Sequence, residues 1–229
     1  MSRYQRNILS ENFSEQSQLL LSKAHVLVVG AGGLGSYVLH HLAAIGVGHI
    51  GIAEFDEVSL SNLNRQILYT TPDIGKSKAE CAKKRLNALN PDVKITLHPY
   101  RFTKESGMEM IDRYDIVVDC TDNFAVRIDM DTICQSAKKP LVHASIASFK
   151  GQATTFNYAP NTPTYQSFYG IEHVEDSQAV GALSPIVGVV GSIQASEVVK
   201  IITHIGTPLY QRLLTVDLNS GKFTEFSFA

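Results

Sequence analysis

Four glycines, Gly30, Gly32, Gly33 and Gly35, follow the apolar run Val26 to Val29. A strand that turns sharply into a helix needs small residues at the turn. A main chain that approaches a phosphate closely needs them too, and the helix N-terminus then offers unpaired N–H groups to the anion. The plainer reading is a tight strand-to-helix turn with no ligand, and this spacing by itself is a weak signal. Glu54 closes the next apolar run. An acid there can accept hydrogen bonds from both ribose hydroxyls; otherwise it is a strand-end surface acid. Asp56 sits on the same side of the strand, placed to order the following loop. To this point a nicotinamide enzyme fits as well as any other.

Asn62, Arg65, Gln66 and Lys78 move the balance. A dinucleotide keeps its pyrophosphate intact and needs no clamp on a leaving group. A triphosphate attacked at its α-phosphorus must lose pyrophosphate, and charge builds on the departing oxygens. Guanidinium and ammonium groups placed there stabilise the transition state more than the ground state. Asp122 follows a third apolar run, where the strand ends of an open α/β sheet line the ligand crevice. It can hold a magnesium ion bridging the phosphates, or instead cap the next helix. Asn123 is an alternative cap that would free Asp122. No general base, Ser-His-Asp set or metal cluster is evident. A carboxylate nucleophile needs no base, because the reference pKa of an α-carboxyl is about 3.5; positioning and electrostatics then suffice.

Short apolar runs alternating with helical stretches must position these groups, a βαβ grammar. Helices are predicted at 16–22, from the glycines to about Ile45, at 76–89, at 125–137 and from Pro185 to about His204. Strands are predicted at 25–29, 49–53, 93–97, 115–120 and 141–145. In the third helix Ala79, Ala82, Leu86 and Leu89 share one face, with Lys83, Lys84 and Arg85 outward. Beyond Lys150 the pattern becomes antiparallel: a strand at 152–157, then a hairpin from Arg212 to Phe228 turning at Asn219 to Gly221. Between them Ala159 to Ser184 is polar and turn-rich, with Glu172, Glu175 and Asp176 clustered, a long stretch of the functional or mobile kind. The expected fold is a Rossmann-like, doubly wound α/β domain, its mostly parallel sheet extended by C-terminal antiparallel strands. Residues 1–150 form the nucleotide-binding half and 151–229 the substrate-facing half of one domain.

The net charge of −2 asks for neither nucleic acid nor an anionic membrane as main partner. The polar start is not followed by a signal-peptide core, and Ser192, Gln194, Ser196 and Glu197 make the apolar stretch from Pro185 to Ile202 a buried helix rather than a membrane span. Cys81, Cys120 and Cys134 match no zinc or disulfide spacing. They read as buried thiols in a reducing cytoplasm.

These pieces resemble the ThiF/MoeB/HesA family, bacterial relatives of ubiquitin-activating enzymes. The matching segments are Arg3 to Leu9, the glycine turn, Glu54 to Gln66, Lys78, Asp119 to Asn123 and Gly181 to Ala195. The resemblance implies adenylation of the C-terminal Gly-Gly carboxylate of a small ubiquitin-like sulfur carrier protein, with MgATP as substrate and pyrophosphate as product. It assigns Glu54 to the ribose, Asn62, Arg65, Gln66 and Lys78 to the triphosphate, and Asp122 to magnesium. It also implies a homodimer in which Arg6 reaches the partner's ATP; from the residues alone Arg6 is an ordinary N-terminal charge.

Two departures from the family pattern stand out. Where many members carry the first of two Cys-x-x-Cys zinc pairs, this chain has Thr164 and Ser167, and no second pair precedes Ala229, so no zinc is predicted. Tyr165, Phe168 and Tyr169 are placed to pack there instead. The loop cysteine that some members use for covalent sulfur relay falls at Ser177. By the same resemblance the Ala159–Ser184 loop would lie over the carrier's tail and shield an acyl-adenylate from water. The segment from Ile67 to Ile74 is closer to the thiamine branch than to the molybdopterin branch. The competing readings are a nicotinamide-binding oxidoreductase, a binding protein without turnover, and a relative that activates another carboxylate on a peptide or a modified tRNA.

Overall fold

The computed structural model describes residues 3–170 and 181–228. Eight strands form one sheet in the order β3-β2-β1-β4-β5-β6-β7-β8. The strands β1 (His25–Val29), β2 (His49–Ala53), β3 (Lys94–His98), β4 (Ile116–Asp119) and β5 (Leu141–Ala147) run parallel. The strands β6 (Lys150–Phe156), β7 (Arg212–Asp217) and β8 (Lys222–Ser227) continue it antiparallel. Successive strands β1 to β3 step outward in one direction, and the chain then returns to place β4 on the other side of β1. The C-terminal ends of β1 and β4 therefore border the switch point where ligands of such sheets bind.

β1 is apolar throughout because both of its faces are covered. Val26 and Val28 belong to one core layer, and Leu27 and Val29 to the other. The first layer packs against α2 (Glu15–Lys23), α3 (Gly33–Ile45), α4 (Lys78–Leu89) and α8 (Ser184–Thr203). The second packs against α5 (Lys104–Ile111), α6 (Phe124–Ala137) and α7 (Tyr165–Tyr169). A further short helix, α1 (Gln5–Ile8), lies at the N-terminal end. Helix α8 is long and apolar enough to span a membrane, yet more than half of its apolar window is buried within the fold. Its buried Gln194 donates to the Asp119 and Val142 carbonyls, and its buried Glu197 accepts from the Leu209 N–H at 2.6 Å.

The α4 face largely matches the expectation: Ala79, Ala82 and Leu86 are buried and Lys84 and Arg85 exposed, while Leu89 and Lys83 are each half-buried. Asn90 ends that helix and is itself buried, its amide donating to the Ala43 carbonyl at 2.7 Å. Three helices go beyond the predicted set. α1 buries no residue and α7 spans five residues, so neither leaves a helical period in the sequence. α5 carries Gly107 in its middle, packed where a Cβ would strike Phe102 and Ile133, and its polar composition hides the pattern. The 159–184 stretch is thus not structureless where it is described. Glu172, Glu175, Asp176 and Ser177 lie outside the described residues. All three cysteines are buried and unpaired.

Candidate active site

The turn after β1 is shaped by two approaches that exclude a side chain. Gly30 has φ +93°, and a Cβ on it would lie 2.7 Å from the Cys120 carbonyl oxygen. A Cβ on Gly35 would lie 2.1 Å from the Gly30 carbonyl oxygen. Gly30 thus lets the β1 and β4 ends close together, while Gly35 seats the first turn of α3 under the loop. Its role is packing, and it does not line the cavity above.

That cavity, of ≈300 Å³, sits at the switch point. Of the residues singled out from the sequence, Gly30, Gly32, Gly33, Glu54, Arg65, Gln66, Lys78 and Asp122 line it. They come from five separate stretches of chain, which only the fold brings together. Asn62 does not line it. Its side chain instead accepts from the Ser59 N–H at 3.1 Å and shapes the short turn that carries Arg65. Arg6 is exposed on α1 and is not among the lining residues of this single chain.

Glu54 is buried and heavily used. Its Oε2 accepts from the Ala31 N–H at 2.9 Å. Its Oε1 accepts from the Phe55 and Asp56 N–H groups at 2.8 and 2.9 Å. A carboxylate has about four acceptor sites, so the main chain takes most of them and Oε2 is the freer oxygen. The residue therefore ties the end of β2 to the glycine turn as well as facing the cavity. Tyr69 makes a second tie, donating to the Ala31 carbonyl at 2.7 Å. Burial first, and the nearby Glu54 carboxylate second, push the Tyr69 hydroxyl up, so it stays a donor.

Lys78 is buried at the start of α4, its Nζ 3.2 Å from Asp56 Oδ2. Asp56 thus orders the loop through the cation that lines the cavity. Arg65 is half-buried and held from behind, its Nη1 donating to the Ser61 carbonyl and to Asn64 Oδ1, each at 3.0 Å. Gln66 is buried with its Oε1 unpartnered among the described residues. An unpaired buried amide oxygen is costly, and the fold keeps this one on a residue of the cavity lining.

Asn123 caps α6, its Oδ1 accepting from the Val126 N–H at 3.1 Å. Asp122 is consequently not the cap. Its exposed carboxylate has no hydrogen-bond or ion-pair partner among the described residues and faces the cavity. That donor set, one unengaged carboxylate beside a phosphate-sized cradle, fits magnesium, which takes one or two carboxylates and completes its shell with phosphate and water oxygens.

Several residues that build the site carry no motif signal. Arg101 stacks on Phe55, its Cζ 4.6 Å from the ring centroid, and both line the cavity. Beneath the Thr121–Asn123 segment lies a buried charge cluster. Asp119 Oδ1 accepts from the Thr121 N–H and Oγ1, each at 2.9 Å. Its Oδ2 lies 2.7 Å from His143 Nδ1 and 3.2 Å from Arg127 Nε. Burial pushes the Asp119 carboxyl up, but the Arg127 guanidinium and then His143 outweigh it and hold the group below the usual carboxylate range. Burial pushes the His143 ring the other way, below its ordinary value.

Thr164 and Ser167 form a reciprocal cap on α7. The Ser167 N–H donates to Thr164 Oγ1 at 3.1 Å and the Thr164 N–H to Ser167 Oγ at 2.9 Å. Tyr165 and Tyr169 pack with tilted rings at 4.8 Å, and Phe168 meets Tyr169 edge-on at 4.7 Å. Among the described residues no three His, Cys, Asp or Glu side chains are grouped to hold a metal.

The ThiF family model matches residues 4–229. The sulfur carrier protein adenylyltransferase of Thermus thermophilus is 38% identical over 99% of this chain and 87% of its own length. The molybdopterin-synthase adenylyltransferase of Haemophilus influenzae is 40% identical over 94% of this chain and 89% of its own. Among solved structures, E. coli MccB crystallised with ATP superposes with a TM-score of 0.90 over all of this chain and 72% of that one, at 23% identity. At that identity the likeness concerns the fold.

Proposed function

The chain belongs to the ThiF family, and we propose from that premise that it adenylates the C-terminal carboxylate of a ubiquitin-like sulfur carrier protein ending in Gly-Gly. The observation that carries the reading is the shared cavity. Two basic side chains, Arg65 and Lys78, the amide of Gln66 and the free acid of Asp122 line it together with the glycine turn. A nicotinamide site has no use for that set. ATP is the substrate this reading requires.

In the reaction a carboxylate oxygen of the carrier's tail attacks the α-phosphorus. The bond from that phosphorus to the bridging oxygen breaks, and pyrophosphate leaves with the electron pair. The glycine turn and the N-terminus of α3 hold phosphate oxygens by main-chain N–H groups. Arg65 and Lys78 meet the negative charge that develops on the leaving group, a preorganised stabilisation that strengthens as water is excluded. Glu54 fixes the ribose end. Magnesium, held by Asp122, would neutralise charge on the bound polyphosphate. The nucleophile is already ionised, so no general base is required.

Thiamine thiazole synthesis is the favoured pathway, on the segment from Ile67 to Ile74, with molybdopterin synthesis as the second reading on the strength of the Haemophilus relative. A homodimer with Arg6 crossing to the partner's nucleotide, and a cytoplasmic location, complete the proposal. The test is to incubate the protein with MgATP and each type of Gly-Gly-ending carrier and to look by mass spectrometry for AMP on the tail. The carrier that accepts AMP names the pathway. Asp122→Ala should abolish the adduct, and Arg65→Ala should slow its formation by about a hundredfold or more. Tight NADH binding with no adduct on any carrier would favour the oxidoreductase reading instead.

A further inference from the structure

His143 lies on β5, away from the cavity lining, yet it reaches the site through a short covalent and hydrogen-bonded path. Its Nδ1 lies 2.7 Å from Asp119 Oδ2, so the ring carries its proton on Nδ1 and donates to the carboxylate. That is the only directed hydrogen bond Oδ2 receives among the described residues. Arg127 Nε lies 3.2 Å from the same oxygen, but it makes no hydrogen bond of acceptable geometry there. The other oxygen, Oδ1, holds the Thr121 N–H and hydroxyl, and Arg127 Nη2 donates to the Thr121 carbonyl at 2.6 Å. Both main-chain polar groups of Thr121, its N–H and its carbonyl, are therefore fastened to the Asp119–Arg127 cluster, and the next residue is Asp122.

Asp119 and His143 are each 1% exposed. A carboxylate this deep cannot recruit bulk water to replace a lost donor, so removing the donor is resolved by movement. The carboxylate would rotate toward Arg127 and carry Oδ1 off the Thr121 N–H. His143 itself is wedged between Tyr165, 5.0 Å away edge-on, and Phe156 at 5.8 Å, which fixes the ring plane.

We infer that His143 is a positioning residue for this site: through Asp119 it sets the Thr121–Asp122 main chain and so aims the Asp122 carboxylate into the cavity. The inference rests on the adenylation reading for its kinetic consequence, but not for its structural one. It assigns to His143 and its aromatic bed a part in placing Asp122, although His143 itself does not line the cavity.

Two variants separate positioning from simple packing. His143→Phe keeps an aromatic ring but removes the donor; His143→Asn loses the ring but keeps an N–H where Nδ1 stood. Both are purified as full chains and their melting temperatures recorded. Exchange of labelled pyrophosphate into ATP is measured with a Gly-Gly-ending carrier that the wild-type protein accepts, and crystal structures of wild type and His143→Phe are compared. Misplacement of a reacting group by about 1 Å costs on the order of a hundredfold. His143→Phe is expected to lose on the order of that factor in kcat with the KM for ATP within about twofold, and His143→Asn to recover most of it. The crystal structure of His143→Phe is expected to show the Thr121–Asp122 peptide displaced. Exchange by His143→Phe at the wild-type rate, or His143→Asn as slow as His143→Phe, overturns the inference, and so does an unmoved Thr121 peptide. A wild-type protein that exchanges with no carrier would overturn the adenylation reading alone, because the crystal comparison still decides the placement of Asp122.

Discussion

Arg65 and Lys78 bring fixed positive charge to one cavity from opposite backgrounds. Arg65 is half-buried and braced by main-chain and side-chain oxygens of its own turn. Lys78 is buried, and its ammonium is balanced by a half-exposed Asp56. Removing Arg65 should therefore cost rate and little else. Arg65→Ala is predicted to slow adenylation by about a hundredfold or more, the typical loss for one donor to developing charge, while a urea denaturation midpoint stays at its wild-type value. Lys78→Ala should lose comparable rate and also shift that midpoint downward, because the side chain is buried and its loss leaves Asp56 without its ion-pair partner. Cys120 presents the opposite case. It lines the cavity, but burial first and the neighbouring Asp119 carboxylate second push its thiol well up. The thiolate is the reactive form, so Cys120 should resist alkylation by iodoacetamide in the native protein. Modification at neutral pH as fast as a free thiol would contradict the described burial.

Single elements place these side chains, and each is set by one or two contacts. The α6 start is fixed by Asn123, which leaves Asp122 unengaged. Asn123→Ala should cost about 1 kcal/mol of stability, the usual worth of a cap. It should also cost activity, because Asp122 would then compete for the vacated N–H groups. Loss of activity without loss of stability, read from urea denaturation beside the AMP-transfer assay, would count against the cap's structural part. The turn after β1 depends on Gly30 in the same way. Gly30→Ala combines a left-handed φ with a 2.7 Å approach to the Cys120 carbonyl, and each such strain costs roughly 1–3 kcal/mol. These two elements were legible in the sequence, because glycine spacing and an Asn beside an Asp carry their reasons in their residue types. Glu54 was legible only by half. Its place at the end of β2 could be read, but the three main-chain donors that occupy it come from the glycine turn and from its own loop, contacts that exist only after folding. His143 and Arg127 gave no signal. A lone His in the run from Leu141 to Ser145 looks like a core or surface residue until β5 is laid beside β4 and it meets Asp119. Gly35 and Asn62 are motif positions that, in the folded chain, shape the turns carrying the lining residues.

The molecule as a whole buries imidazoles that gain by staying neutral. His49 and His98 sit in the region of β2 and β3, His98 with its Nε2 2.8 Å from the Tyr114 hydroxyl. For His49, burial and then its neighbour His25 lower the pKa; for His98, burial and then Arg113 do so. His143 is lowered by burial against the pull of Asp119. A histidine with a depressed folded pKa binds fewer protons folded than unfolded. By linkage the unfolding free energy then rises with pH, so this stability is fully present above the unfolded value of about 6.5 and declines as pH falls below it. Thermal melts between pH 8 and pH 5 should show a flat midpoint down to about that unfolded pKa and a steady decline beneath it. A midpoint that rises on acidification would mean these rings gain protons on folding.

The eight-stranded sheet unites the two halves read from the sequence, since β5 of the first pairs directly with β6 of the second. The cavity lies at the β1–β4 border, and Ile146 of β5 and Ala182 ahead of α8 are also among its lining residues. The most direct measurement is exchange of labelled pyrophosphate into ATP, made dependent on the accepted carrier and repeated with that carrier's terminal carboxylate converted to an amide. The account predicts exchange with the free carboxylate and none with the amide, because only an ionised terminus can displace the pyrophosphate and be displaced by it in return. Exchange that proceeds equally with the amide, or without any carrier, would contradict it.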